Sequence, residues 1–388
     1  MGPNPYRIFF PLGIAFGLTG VSIWPLYYFG ATVGYSGRAH ALAQTNGFLY
    51  AFIAGFLLTA VPRFTGTAPP SRLAQYLLAA MLLVSVAASE FQAFGVGTAA
   101  FVVAHFTLVV IVVRRFARRR QNPPSTFVLI GLALFAGALG ALLNGAVAWE
   151  IASPSLDLLG KRLLTEGMVM LLVLGVGGFL GPRLLGFAEL PKHAVPGGPA
   201  DRPALRIGPI ERLWFAVGSI ILGALVAEYG FGLTWMAVLR AAIVTGVILG
   251  TLRIWRLPPV RTTLSWCIWT AHWLIVVSVW LVAFAPRYRV DFLHVLFIGG
   301  FSLLILAVGT RVTLSHGGHD LGRERRSWPL RIGLTLGLIA MLARVGAPFA
   351  PRSYFDHLMF AGLLWMAGIL CWGIYIVGRI AVTREAGS

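Results

Sequence analysis

Residues 37–66 read GRAHALAQTNGFLYAFIAGFLLTAVPRFTG. Between Gly47 and Pro62 only Tyr50 and Thr59 carry a polar side-chain group. With its flanks the run reaches the roughly 20 residues that a helix needs to cross hydrocarbon. Its head holds His40, Gln44 and Asn46, and its tail holds Arg63. An apolar span with a histidine at one end and an arginine at the other invites an explanation. The rest of the chain supplies most of it.

The chain has 388 residues, 58% hydrophobic and 11% charged. A soluble domain carries about 25% charged residues. The composition is that of a polytopic protein whose first partner is the lipid bilayer. A net charge of +18 would suit nucleic acid. Here the arginines punctuate apolar runs, as membrane proteins use them, and nucleic acid is excluded.

Twelve spans are expected, near 8–30, 41–62, 73–92, 95–113, 127–149, 162–182, 211–229, 231–250, 262–285, 291–310, 330–347 and 354–380. The fold class is therefore an all-α membrane protein of twelve transmembrane helices. Neither longer connection, 183–210 or 311–329, has room for a separate domain, so 1–388 reads as one integral membrane domain. Of the 31 basic residues, 23 fall on the side of the two termini and the even-numbered loops. The positive-inside rule then puts both termini in the cytoplasm. Cys267 and Cys371 lie in apolar runs and are expected as free thiols.

Arg63, Arg183 and Arg311 close three glycine-bearing runs, AGFLLTAVPR, GVGGFLGPR and LAVGTR, at spacings of 120 and 128 residues. Seventeen residues before each arginine stand Asn46, Glu166 and His294. This pattern makes spans two, six and ten equivalent members of four-span units near 1–126, 127–256 and 257–388. It suggests three four-helix arcs about a pseudo-three-fold axis. Taken alone, the arginines suit helix C-termini and cytoplasmic anchoring. Glu166, a lone carboxylate at a span end, either pairs with Lys161 or Arg162 or faces a cavity, where it would relay protons or complete a metal site.

Eight histidines are present. His193 falls in a Pro/Gly-rich cytoplasmic loop. His316 and His319 form an H-x-x-H in another, too few ligands for a firm metal site. His105 and His272 lie mid-membrane, where an imidazole must face protein, a cavity or a cofactor. His272 stands among Trp266, Trp269, Trp273 and Trp280. His40, His294 and His357 share one trait: each is near the outer end of an even-numbered span. Asp291 and Asp356 precede the last two, and a carboxylate beside an imidazole orients it as in metal-ligating pairs. These three histidines are the candidate metal ligands, with Glu166 as a fourth. The outer-side arginines Arg287 and Arg289, with Arg38 and Arg352, are candidate partners for anionic groups.

The chain resembles the NnrS family of twelve-span bacterial membrane proteins. GFLLTAVPRFTG in span two and LHVLFIGGFSLLILAVGTRVTLSHGG in span ten carry the likeness, with YRIFFPLGIAF and VLGVGGFLGPRLLG. The resemblance implies heme and copper as cofactors, nitric oxide or an electron donor as partners, and a place in nitric oxide metabolism or the nitrosative-stress response at the bacterial inner membrane. With heme present, Arg287 and Arg289 would meet anionic groups such as its propionates, or they serve equally as interfacial anchors. Where the family often reads WHAHEM at the start of span two, this chain reads AHALAQ. His40 matches the first histidine, Leu42 replaces the second, and Ala43 replaces the glutamate. Arg63 stands for the family's asparagine, while His294 and His316 match. Copper is therefore less well supported than heme.

A looser likeness is to heme-copper oxidase catalytic subunits, which also have twelve spans in three arcs and place heme-ligating histidines on spans two and ten. His40 and His294 fall on those spans. Copper ligands of such oxidases come from spans six and seven, where this chain has no histidine, so oxygen reduction with proton pumping is not expected. Fold-level likeness does not fix function. His40 lies 23 residues before its arginine and His294 only 17 before its own. Six residues of helix is about 9 Å of depth. His294 therefore pairs with His40 across staggered spans, or with His357. Two other readings stand beside this one: a multi-span transporter without a redox cofactor, resting on Glu166, the repeat and the abundance of glycine, and a quinol- or electron-handling subunit of a larger complex.

Overall fold

The computed structural model describes residues 4–188 and 208–382. Among them there is no strand. Eleven helices are long and apolar enough to cross a membrane. They are α1 Tyr6–Tyr28, α2 Gly37–Thr65, α3 Arg72–Glu90, α4 Phe94–Ala117, α5 Ser125–Ala148, α6 Ser155–Leu185 and α7 Pro209–Phe231. After α8 come α9 Thr263–Phe284, α10 Pro286–His316, α11 Leu321–Phe349 and α12 Pro351–Ala381. The remaining expected segment is α8, Met236–Leu252, apolar but only 17 residues long. The chain is an all-helical, multi-pass membrane protein. Cys267 and Cys371 are free thiols, as expected.

The spans are longer than their apolar cores. The second was expected from residue 41, yet the helix begins at Gly37, because Ser36 caps it by accepting from the Ala39 N–H at 3.2 Å. His40 thus lies inside the first turns of α2. The eighth was expected from residue 231 but starts at Met236. Gly232 closes α7 in the left-handed region at φ 71°, and residues 233–235 form a turn.

Three segments are wound as π-helix: Ala43–Leu49 in α2, Leu163–Val169 in α6 and Val295–Ser302 in α10. A π segment takes up an additional residue and is characteristic of functional regions. These are the same three spans that the arginine spacing matched. In α2 and α6 the register is identical. Each segment ends 14 residues before its arginine and holds Thr45-Asn46-Gly47 or Thr165-Glu166-Gly167. In both, the threonine hydroxyl donates to the carbonyl four residues back, Ala41 at 2.8 Å and Lys161 at 2.9 Å.

The chain divides into two compact units, one running from Ala54 to Trp255, the other joining Tyr6–Ile53 to the part after Arg256. In the first, His105 of α4 is fully buried and its Nε2–H donates to the Leu134 carbonyl of α5 at 3.0 Å. Gly140 of α5 presses on the Gly160 carbonyl of α6. In the second, α1 lies against the N-terminal part of α2 and against α12. The contact with α2 is close because Gly17 and Gly20 present no side chain to it: a Cβ on Gly20 would stand 2.6 Å from the Ala43 Cβ. Trp372 of α12 is fully buried and its indole donates to Thr310 of α10 at 2.9 Å.

Candidate functional site

The glycine face of α1 is the seat of the first candidate. With the backbones this close, the Gly17 carbonyl accepts from Gln44 Nε2 at 3.0 Å and the Gly20 carbonyl accepts from His40 Nδ1 at 2.7 Å. A carbonyl only accepts, so Nδ1 carries the proton and the Nε2 lone pair is the outward donor. The His40 ring meets Trp24 edge-on at 5.5 Å. Trp24 packs on Tyr35, and Tyr27 packs on both Tyr35 and Phe355, which makes an aromatic wall beside the histidine.

His294 and His357 are held in the same way. His294 Nδ1 donates to the Val290 carbonyl of its own helix at 2.7 Å. His357 Nδ1 donates to the Ala343 carbonyl of α11 at 3.1 Å. The aspartates expected to orient these rings have partners on other helices. Asp291 accepts from Arg344 at 2.7 Å and Asp356 accepts from the Tyr28 hydroxyl at 2.7 Å. The reason is local: a helical imidazole reaches the carbonyl one turn back with little cost, and each carboxylate finds a stronger donor across helices. Arg287 and Arg289 sit at the α9–α10 connection; Arg287 is exposed, its guanidinium 5.6 Å from the Tyr288 ring.

The residues that tie these three helices together were not singled out from sequence. On α11, the Ala343 carbonyl takes His357 of α12, and Arg344 pairs with Asp291 of α10. Arg344 is largely buried, at 12% side-chain exposure. The available signal was its position: an arginine at the end of an apolar run that the charge count expects to hold few basic residues.

A family model described as NnrS protein matches residues 3–383 of the chain. The chain belongs to the NnrS family. A search of curated proteins returned no match. Of the positions that set this NnrS chain apart from the WHAHEM pattern, Leu42 is 4% exposed and Ala43 is fully buried against Gly20. Donor atoms are therefore lacking where further ligands would sit. Among the described residues, no group of three His, Cys, Asp or Glu side chains comes together to hold a metal ion.

Glu166 of this NnrS protein lies in the other unit from His40, His294 and His357. It is buried, and it accepts from Arg240 Nη1 and, at 3.1 Å, from the Tyr229 hydroxyl. Arg162 stands 3.5 Å away. Lys161, the other partner considered, pairs with Asp157 instead. Arg240 also donates to Glu228 at 2.7 Å.

Two of the remaining histidines make the same kind of bond as His294. His272 is buried, with Nδ1 donating to the Ile268 carbonyl at 2.8 Å. Trp266, Trp269 and Trp273 line up edge to face along the same helix. At the C-terminal end of α10, His316 bonds within its helix, to the Val312 carbonyl, and just beyond it His319 donates to the Arg379 carbonyl. The H-x-x-H pair thus serves two different backbone partners. His193 lies outside the described residues.

Proposed function

We propose that this NnrS-family protein binds heme in the outer half of the unit formed by Tyr6–Ile53 and the chain after Arg256, and acts in nitric oxide metabolism or the nitrosative-stress response at the bacterial inner membrane. Family membership supports the nitric oxide connection. The observation that carries the heme reading is the common state of His40, His294 and His357. Each ring is fixed through Nδ1 to a backbone carbonyl, which puts the lone pair on Nε2. That is how a protein prepares an imidazole for iron.

His294 would hold the heme iron, with His40 or His357 as the second ligand. Arg287, Arg289 and the more deeply buried Arg344 supply positive charge for propionate groups. Heme bound there supplies an iron that takes nitric oxide as a ligand. Copper does not fit equally well, since Leu42, Ala43 and the separate placement of Glu166 leave no three-ligand set, and no role is derived for it.

The topology belongs to the same proposal. Met236–Leu252 is the twelfth span and both termini are cytoplasmic, which the charge bias supports. Seventeen helical residues reach about 25 Å, short of the roughly 30 Å of hydrocarbon, so local thinning or flanking side chains make up the rest.

Purified protein should show a Soret band. His294→Ala should lose the heme or hold it weakly in a high-spin form, measured as pyridine hemochrome. Of His40→Ala and His357→Ala, only the true partner should do likewise, and His193→Ala should have no effect. Full heme retention and an unchanged spectrum in His294→Ala would overturn the assignment. The transporter reading draws on the buried Glu166–Arg240–Glu228 network, and a colourless protein would favour it.

A further inference from the structure

The buried charge network of the Ala54–Trp255 unit has no part in the proposed heme site. Arg240 is the fifth residue of α8, and its side chain is 5% exposed. It holds two carboxylates, Glu166 of α6 at 2% exposure and Glu228 of α7 at 1%. Arg162 and the Tyr229 hydroxyl complete the surroundings of Glu166, and the Arg162 guanidinium lies 5.6 Å from the Tyr229 ring. Two positive and two negative side chains thus form a neutral set.

Arginine is among the residues least tolerated in an inserting helix, and near helix ends it escapes by reaching for the interface. Arg240 does not escape: it is turned inward and closed off. Its helix is also the shortest of the twelve segments. Both features work against insertion of Met236–Leu252 on its own. Both are answered by partners that precede it in the chain, Glu166 by 74 residues and Glu228 by 12. While α8 is still to come, Arg162 one turn away can serve Glu166.

We infer that Arg240 is a docking residue: α8 enters the membrane paired through its guanidinium to the carboxylates of α6 and α7, and does not enter alone. The inference rests on the twelve-span reading, in which α8 crosses. The network is then a checkpoint on topology, since everything after Trp255 takes its side of the membrane from this one step.

The test uses the full chain with Cys267→Ala and Cys371→Ala, and Leu257→Cys as a reporter. Leu257 follows α8 and is 57% exposed. Intact cells are labelled with a membrane-impermeant maleimide. In this background the cysteine should be protected, being cytoplasmic; labelling from outside there would remove the twelve-span reading itself. Adding Glu166→Gln with Glu228→Gln strands the guanidinium, and the cysteine should become labelled or the chain should be lost to degradation. Adding Arg240→Leu to that pair removes the stranded charge and should restore both protection and protein level. Protection of the Glu166→Gln/Glu228→Gln chain at normal level would overturn docking, and so would failure of Arg240→Leu to rescue it.

Discussion

Gly20→Ala is a demanding test of the seat that orients His40. A methyl there would lie 2.6 Å from the Ala43 Cβ and 2.7 Å from Gln44 Nε2. Carbon atoms in contact sit about 3.5–4.0 Å apart, so the two backbones must separate by about 1 Å. Overpacking of that kind costs about 1–3 kcal/mol. The same movement stretches the bonds from His40 and Gln44, now 2.7 and 3.0 Å, beyond hydrogen-bonding range. Each lost bond removes about 1 kcal/mol. Against this, alanine gains up to about 1 kcal/mol over glycine inside a helix. The expected net loss is about 3 kcal/mol, read from unfolding in mixed detergent micelles. Ala43→Gly removes the methyl that is struck. Combined with Gly20→Ala it should return stability to within about 1 kcal/mol of the parent, although each change alone destabilises. If Gly20→Ala proves neutral, or if the two changes simply add, the close seat is not what holds His40.

Two further outcomes are expected. Reporter fusions after Arg120 and Asp320 should read cytoplasmic and one after Asp157 external; an external signal at Arg120 would sink the topology. Asp291→Asn leaves Arg344 largely buried without its carboxylate and should cost about 3 kcal/mol in the same unfolding assay, the lower end for a broken buried pair because both side chains keep some exposure. Asp291→Leu with Arg344→Leu should lie close to the parent, and a double variant as unstable as Asp291→Asn would show that the pair does more than neutralise charge.

Much of the architecture was legible because hydrocarbon imposes one simple demand, and the runs of leucine, valine, alanine and phenylalanine answer it openly. The arginine spacing was legible too, whereas the cap at Ser36 was missed and α2 starts earlier than expected. What fixes the histidine rings was not legible. Their partners are backbone carbonyls of Gly20, Val290 and Ala343. Every residue has a carbonyl, so its use leaves no mark in the sequence. The charge partners were hidden by distance along the chain, with Arg240 74 residues from Glu166 and Arg344 53 from Asp291. In retrospect both arginines were the exceptions in the charge count, placed on the side where basic residues are scarce. The reading of Glu166 as a lone carboxylate or a partner of its own helix overlooked this.

The π-wound segments have a consequence for how such a protein changes over generations. Each lies between the first turns of its span and the half that ends at Arg63, Arg183 or Arg311. One residue more or fewer in such a segment swings everything beyond it by about 100° and 1.5 Å and leaves the arginine-ended half untouched. A single codon gained or lost there would turn a histidine from one neighbour to another while that half keeps every contact. In this chain, single-codon changes between Ala43 and Leu49 would re-aim His40 in that way, and those between Val295 and Ser302 would re-aim His294. When two such proteins are aligned, a one-residue gap in these segments is therefore a change of aim, and residues that match in letter on either side of it need not face the same way.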